Sequence, residues 1–303
     1  MYLCMLFDIS IIIILICIGA AVGLVSSFFG VGACFIMVPV MIFILDALQG
    51  VDPSLAPLIA FGTNMAIVVP TALSGALRHR RTLHSKGYSF PVKNYLYFVI
   101  PVAIGSAIGA LEAFVFFVNF RAFAGLIMKT LFGVFCLIGA YRFLRARVLQ
   151  LEELKKPIGW QYALAGFFSG MLAHFMGIGG GLIYMPVLNT LLAVPALFAV
   201  PISLATMIIG SFVGALSYGI LGSLDQALHP SEYPSLTFGW FSLEMFIFIG
   251  IASVILAQIG PRLAHRTDPK RFKILLAIVY VYIGIRLIIN GSFQLSGLPA
   301  PIP

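Results

Sequence analysis

Long apolar segments follow one another along almost the whole chain, and they limit its fold more than any other feature. A helix needs ~20 residues to span a bilayer, and a spanning structure must satisfy its backbone polar groups internally. The sequence therefore predicts an all-α integral membrane protein with about ten hydrophobic segments. These segments are 9–27, 33–45, 54–77, 94–118, 120–144, 160–175, 182–194, 196–221, 238–259 and 272–289.

Charge is scarce and unevenly distributed. Hydrophobic residues make up 61% of the chain and charged residues 9%, whereas about 25% of a soluble domain is charged. Fifteen of the 18 Lys and Arg residues lie in the ranges 78–93, 142–156 and 262–273. Basic loops stay in the cytoplasm, so we predict that these three are cytoplasmic and that both termini lie outside. The net charge of +8 then reflects topology in the cytoplasmic membrane, and no nucleic-acid partner is expected.

The four cysteines show no metal or disulfide spacing. Cys4, Cys17, Cys34 and Cys136 contain no CxxC pair and lie in or beside apolar segments, so neither a disulfide framework nor a zinc site is indicated. No cofactor or metal is predicted. The apolar N-terminus lacks the basic stretch of a signal peptide, and we keep it as part of the mature structure.

Motifs recur in the two halves of the chain at nearly constant offsets. Five hydrophobic segments per half is an odd number, so the second copy must enter the membrane from the opposite side, as in inverted-repeat transporters. We divide the chain into a first repeat (1–148), a cytoplasmic linker (149–159) and a second repeat (160–303). The matched positions are Gly19 with Gly166, Gly23 with Gly170, Gly30 with Gly177, Gly32 with Gly179 and Pro39 with Pro186 at an offset of 147, then Asn64 with Ser203 at 139.

Two glycine clusters interrupt the apolar segments at equivalent places. The first cluster is residues 30–34 and the second is residues 177–181. The segments that follow, 33–45 and 182–194, have 13 residues each, or about 20 Å of helix, which is less than the ~30 Å hydrocarbon core. Short, glycine-interrupted segments at matching positions point to a transporter's binding site. The alternative is that these glycines only permit tight helix crossing.

A helix that starts inside the membrane presents unpaired N–H groups and partial positive charge, which suits an anion. We expect two such starts, at Ala33 and Gly181, with small polar side chains of the next segment completing the site. Asn64 and Ser203, as a matched pair, are better candidates than either alone. The candidate substrate-binding residues are Gly30, Gly32, Ala33, Cys34, Thr63, Asn64, His174, Gly177, Gly179, Gly180, Gly181, Ser203 and Thr206.

Several candidates have a structural alternative. His174 can donate to an anion or carry a proton, but a lone histidine among apolar residues is more often structural, and Cys34 can be a small filler. Lys129 and Arg286 are weaker candidates, because both can extend towards a membrane face. Glu112 or Glu244 could neutralise Lys129. Four small-x3-small glycine pairs are interpreted as helix packing; they start at Gly19, Gly105, Gly166 and Gly210.

Enzyme motifs are lacking. The sequence contains no HExxH and no GxSxG, and no GK[ST] follows residues 177–181. We therefore predict that the protein is not an enzyme. Its expected partners are a small anion and the lipid bilayer, and its oligomeric state is left open.

The glycine clusters resemble those of the TauE/SafE family of sulfite exporters, also called the TSUP family. The resemblance rests on GIGGGLIYMP at 177–186, on its earlier copy and on AFGTN at 60–64. It implies a secondary transporter of sulfite, sulfoacetate or another organosulfonate, which we expect to work by alternating access coupled to protons. A passive anion channel and a non-transporting scaffold subunit are the alternatives. Departures from the family pattern fall at Ala33-Cys34 and at Pro201-Ile202-Ser203.

Overall fold

The fold is helical throughout the residues that the computed structural model describes, which are 9–29, 34–85, 87–145, 158–258, 269–298 and 301. These ranges contain ten α-helices and no strand, as predicted for an all-α membrane protein. Five of the helices are long and apolar enough to cross a membrane. The helices are α1 (Ile9–Phe29), α2 (Cys34–Phe43), α3 (Ala56–Ser85), α4 (Val92–Asn119), α5 (Ala124–Arg145), α6 (Gly159–Phe175), α7 (Gly181–Pro186), α8 (Ala196–Leu228), α9 (Leu243–Ala257) and α10 (Pro269–Leu295).

The two short helices end in the same way. α2 continues into a π-helical turn at Ile44–Leu48, and α7 continues into one at Val187–Leu191. In the first, the N–H of Gln49 donates to the Ile44 carbonyl; in the second, Leu192 donates to Val187, both at 2.9 Å. Wide turns of this kind are rare and often mark functional regions. The duplication seen in the sequence therefore extends to an unusual backbone feature.

Helix packing is symmetric between the two halves. α1 packs on α9 as α6 packs on α4, and α3 packs on α9 as α8 packs on α4. Two further contacts join equivalent helices, α3 with α8 and α5 with α10. Exchanging the halves reproduces all six pairings, so a two-fold pseudo-symmetry relates them. The α3–α8 contact lies on that pseudo-axis, where the halves meet.

Three glycine pairs bring two of these helix contacts, α4 with α6 and α1 with α9, close together. A Cβ on Gly105 or Gly109 of α4 would overlap the carbonyl oxygens of Phe167 and Met171 on α6. Gly166 and Gly170 of α6 meet backbone carbonyls of α4 in the same way. The Gly19 pair of α1 meets backbone carbonyls of α9. Small residues let backbones approach closely in membranes. The packing interpretation is confirmed for the pairs that start at Gly19, Gly105 and Gly166.

Several predicted boundaries are wrong. Segment 54–77 ends too early, because α3 runs on to Ser85 and carries the basic residues 78–84 in helical form. Segment 196–221 likewise stops before the end of α8 at Leu228. Segment 238–259 starts too early, because α9 begins at Leu243 and Trp240 is turned inward instead. Hydropathy detects where polar residues begin, but a helix can continue past that point. The linker 149–159 and loops 142–156 and 262–273 lie mostly outside the described residues.

The outward faces of the helices are apolar. On α4, Ile100, Ile104 and Leu111 are each at least half exposed, and their spacing places them along one side of the helix. A soluble protein rarely exposes a continuous apolar stripe of this length. In a membrane protein such a stripe contacts lipid. The buried polar groups face the protein interior instead.

Candidate functional site

The second glycine cluster forms a sharp break between α6 and α7. Gly177, Gly179 and Gly180 have φ of +61°, +71° and +92°, a region that residues with a Cβ seldom adopt. The Gly180 carbonyl accepts the N–H groups of Ile183 and Tyr184 at 2.9 and 2.8 Å and starts α7. The helix thus begins inside the protein, at Gly181 as predicted, and the chain around it is buried.

The break leaves backbone donors unused. Ile178 donates its N–H to the Ala173 carbonyl at 2.8 Å. Within the described residues, the N–H groups from Gly179 to Leu182 donate to no carbonyl. Buried N–H groups are almost always paired in proteins. A group of unpaired ones is therefore a place where an acceptor can bind.

Helices α3 and α8 both hold the second glycine cluster in place. Nδ2 of Asn64, on α3, donates to the Gly177 carbonyl at 2.5 Å, and Oγ of Ser211, on α8, donates to the Gly179 carbonyl at 3.0 Å. Asn64 and Ser211 are fully buried. α3 belongs to the first repeat and α8 to the second, so the cluster is fixed at the contact between the halves.

His174 and Tyr184 occupy space that glycines of α8 provide. A Cβ on Gly214 would overlap the His174 ring, and one on Gly210 would lie 2.9 Å from the Tyr184 hydroxyl and 3.3 Å from His174 Cε1. The pair that starts at Gly210 therefore also permits close helix packing, but against side chains instead of backbone. These two glycines accommodate polar side chains of the candidate site, whereas the other three pairs meet a neighbouring backbone.

Four buried polar atoms around the second glycine cluster have no hydrogen-bond partner within the described residues. They are Oδ1 of Asn64, Nε2 of His174, the Tyr184 hydroxyl oxygen and Oγ1 of Thr206, and all four side chains are fully buried. Leaving such an atom unpaired costs about 1–3 kcal/mol. Thr206 precedes Gly210 by about one helical turn, so these atoms lie around one region. The hydroxyls of Thr206 and Tyr184 can donate to a ligand oxygen, whereas Oδ1 of Asn64 can only accept a hydrogen.

The other predicted site residues are placed less directly. Thr63 is committed to structure, because its Oγ1 donates to the Ile59 carbonyl at 2.7 Å and accepts the Ser242 N–H at 2.9 Å. Ser203 is buried on α8, and Cys34 is buried at the start of α2. Gly30, Gly32 and Ala33 lie outside the described residues.

Lys129 and Arg286 belong to a separate group. Nζ of Lys129 donates to Gln294 Oε1 at 2.8 Å and lies 3.5 Å from Asp46 Oδ2. The Arg286 guanidinium lies 5.2 Å from the centre of the Phe43 ring. The expected neutralisation by Glu112 or Glu244 is therefore wrong, since Asp46 pairs with Lys129. Asp46 lies at the far end of the α2 segment from Cys34, about 18 Å along a helix.

The loop between α8 and α9 (residues 229–242) closes one face of this region. Arg121, after α4, pairs with Asp225 and, at 2.6 Å, with Glu232. The Tyr233 hydroxyl donates to Asp225 at 2.6 Å and accepts from Trp240 Nε1 at 3.1 Å. Burial raises the pKa of Tyr233, and the bond to Asp225 raises it further.

Trp240 connects this loop to the second glycine cluster. Its ring lies 5.4 Å from the ring of Tyr218, in an edge-to-face arrangement. The Tyr218 hydroxyl donates to the carbonyls of His174 and Phe175 at 2.9 and 3.2 Å. Both aromatic side chains are fully buried. The end of α6 is therefore held by the same aromatic group that anchors the loop.

Sequence reasoning missed Ser211, Tyr218 and Trp240, and it did not single out Tyr184. Tyr184 had a signal, because it lies inside the repeated motif at 177–186, four residues after Gly180. Ser211 and Tyr218 had none, since each contacts the second glycine cluster only through the packing of α8.

Comparisons with known proteins agree with this architecture. The sequence model of the family described as sulfite exporter TauE/SafE matches residues 15–287. A probable membrane transporter protein of Methanocaldococcus jannaschii is 24% identical over 281 residues, which cover 91% of this chain and 95% of that protein. The probable membrane transporter protein YunE of Bacillus subtilis is 25% identical over 300 residues, covering 93% and 99% respectively. No solved structure matches.

Proposed function

Because the chain belongs to the sulfite exporter TauE/SafE family, we propose that this multi-pass membrane protein is a secondary transporter of a small sulfur-containing anion. Sulfite, sulfoacetate and other organosulfonates form the substrate class. Transport proceeds by alternating access across the cytoplasmic membrane and is coupled to protons. The predicted residues of the two glycine clusters, with Asn64, His174, Ser203 and Thr206, bind the anion.

One observation carries this proposal: unpaired polar atoms collect around the second glycine cluster, where the repeats meet. Thr206 can donate a hydroxyl hydrogen, and the backbone from Gly179 to Leu182 can donate N–H groups. A sulfur oxyanion presents several oxygen acceptors in a compact volume. Fixed donors in a region from which water is excluded bind such charge more strongly than water-exposed donors do.

The symmetry of the packing supports alternating access. The six helix contacts exchange when the halves are exchanged, so a second arrangement with the roles of the halves reversed has closely similar contacts. Rocking of one repeat against the other around a fixed central site is how inverted-repeat transporters expose it to each side in turn. The α3–α8 contact is the natural pivot, because it holds the second glycine cluster from both halves.

Flux through purified protein tests the proposal. In proteoliposomes, labelled sulfite should enter faster than in protein-free liposomes, saturate with concentration and accumulate when a pH gradient is imposed. A passive channel would give flux without accumulation against a gradient, and a scaffold subunit would give none. Thermal-shift screening with sulfite, thiosulfate, sulfoacetate and taurine ranks the substrates beforehand. A protein of confirmed fold that moves none of these anions would contradict the proposal.

Orientation is part of the proposal and has its own prediction. In a variant without native cysteines, a cysteine at His84 should react with an impermeant thiol reagent only from the inside. One at Ser235, in the loop between α8 and α9, should react only from the outside. Both positions are exposed, so accessibility depends on sidedness alone. The reverse pattern in intact cells would invert the topology and place the basic loops outside.

A further inference from the structure

Among the described Asp, Glu, His, Lys and Arg residues, three have buried side chains: Lys129, His174 and Asp225. Two of them have partners of opposite charge, since Lys129 lies beside Asp46 and Asp225 pairs with Arg121. His174 has no such partner within the described part of the chain. It lies three residues before the second glycine cluster. It is therefore a buried base without a counter-charge beside the proposed anion site.

The hydrogen bonds of His174 fix which nitrogen carries its hydrogen. Nδ1 lies 2.9 Å from the carbonyl oxygen of Gly170. A carbonyl oxygen can only accept, so Nδ1 must be the donor, and in the neutral ring Nε2 then carries a lone pair. Nε2 is fully buried and makes no hydrogen bond within the described residues. In this form His174 cannot donate from Nε2 to an anion, but it can accept a proton there.

The groups around the ring supply no negative charge. α7 contributes Tyr184 and α8 contributes Tyr218, whose hydroxyl is bonded to main-chain carbonyls. α3 contributes Met65, whose sulfur atom lies beside Gly214, as the His174 ring does. Glu112 of α4 is exposed on the outer side of that helix. The carbonyl of Gly210 also faces the ring, and it would attract a second N–H.

From this geometry we infer that His174 Nε2 carries the coupling proton, and that the proton and the anion bind together. A proton alone would leave an unpaired cation in a region of low dielectric constant, and an anion alone would leave an unpaired negative charge. Bound together, they form an imidazolium–oxyanion pair. One proton from water on the loading side bonds to Nε2 and leaves with the anion on the other side. This inference rests on the proposed transport function and adds its coupling residue.

The class of anion follows from the same chemistry. A sulfonate holds no proton at neutral pH, so its coupling proton must come from water through Nε2. Bisulfite can bring a proton of its own and donate it to the same lone pair. In both cases the loaded site contains one proton per anion. It is electrically neutral for a monovalent sulfonate, whereas bisulfite that donates its own proton leaves sulfite beside the imidazolium and a net charge of −1. Neutral loading favours passage of the closed site through the membrane interior.

His174→Asn tests the inference, because asparagine can still donate to the Gly170 carbonyl and lacks the basic nitrogen. The probes are labelled sulfite and labelled sulfoacetate in proteoliposomes. With 1:1 coupling and the membrane potential clamped at zero, a pH difference of one unit supports about tenfold accumulation. We expect that factor for the wild type and no accumulation for His174→Asn, while exchange of labelled for unlabelled anion persists. His84→Asn, the same change at an exposed histidine, should behave as wild type.

A second measurement covers a variant that fails to fold. Calorimetry of sulfoacetate binding to the wild type in two buffers of different ionisation enthalpy should show uptake of about one proton per anion at pH 7. Binding without proton uptake, or pH-driven accumulation retained in a folded His174→Asn variant, would overturn the role of His174 and leave transport intact. A wild-type protein that moves neither anion would overturn the proposed function, and this inference with it.

Discussion

Replacing Arg121 by alanine should destabilise the protein by about 3 kcal/mol or more, because the change leaves the carboxylate of Asp225 buried without its cation. Asp225 is only 3% exposed. Its other contacts, the Tyr233 hydroxyl and the His229 ring, do not replace a permanent positive charge. Thermal or denaturant unfolding of the purified protein in detergent measures the loss. The loop of residues 229–242 should become accessible to protease at the same time.

The chain offers a matched control, since Arg121 also pairs with Glu232, whose side chain is 40% exposed. An exposed ion pair contributes about 0–1 kcal/mol, so Glu232→Gln should change stability little. The double variant Arg121→Met, Asp225→Asn removes the buried carboxylate together with its cation and should recover most of the loss. Equal destabilisation by Arg121→Ala and Glu232→Gln would show that burial of Asp225 is not the cause.

Much of the fold follows from the sequence because bilayer physics restricts it. Apolar length predicts helices, and the offset of 147 residues pairs Pro39 with Pro186 in the two short helices. Hydropathy does not, however, determine where a helix stops. α3 continues to Ser85 because basic residues are good helix formers, and residues 238–241 leave the helical pattern because Trp240 packs inward.

The candidate site was predictable in its backbone and only partly in its side chains. Glycine density indicated the break at residues 177–181, and the positive φ values there confirm why glycine is needed. Asn64 was inferred from the repeat, and it contacts the second glycine cluster directly. Ser211 and Tyr218 could not be inferred, because their contacts depend on the rotation of α8 about its axis. The pair that starts at Gly210 predicted close packing, but a small-x3-small pattern does not say that the side chains of His174 and Tyr184 fill the space beside it.

The repeats are symmetric in packing but differ in their polar groups. In the second half the cluster is followed by a helix of six residues, whereas α2 has ten, a difference of about one helical turn. His174 also lacks an imidazole counterpart, since the offset of 147 places Ser27 opposite it. Symmetric packing allows two equivalent arrangements of the halves. Under the proposed coupling of one proton to one anion, His174 would be the single proton site for both arrangements.

Gly180→Ala should abolish anion binding while the protein stays folded. Gly180 has φ of +92°, which costs a residue with a Cβ roughly 1–3 kcal/mol, and the new methyl group would overlap the Tyr184 ring. That ring packs edge-to-face on Phe98, with centres 5.8 Å apart, so it cannot yield without disturbing α4. Displacement of Tyr184 would move its hydroxyl from Gly210 and change the backbone donors at the start of α7.

Thermal shift on addition of sulfite measures this loss, and Gly219→Ala provides the matched control. Gly219 lies on α8 with nothing within 4 Å of its Cβ position, so alanine there should leave binding unchanged and raise helix stability slightly. Tyr184→Phe separates the two parts of the effect, because it keeps the ring and removes only the hydroxyl. If Gly180→Ala binds sulfite as the wild type does, the second glycine cluster is a packing device and the anion binds elsewhere. If Gly180→Ala loses binding and Tyr184→Phe keeps it, the backbone from Gly179 to Leu182 provides the essential donors.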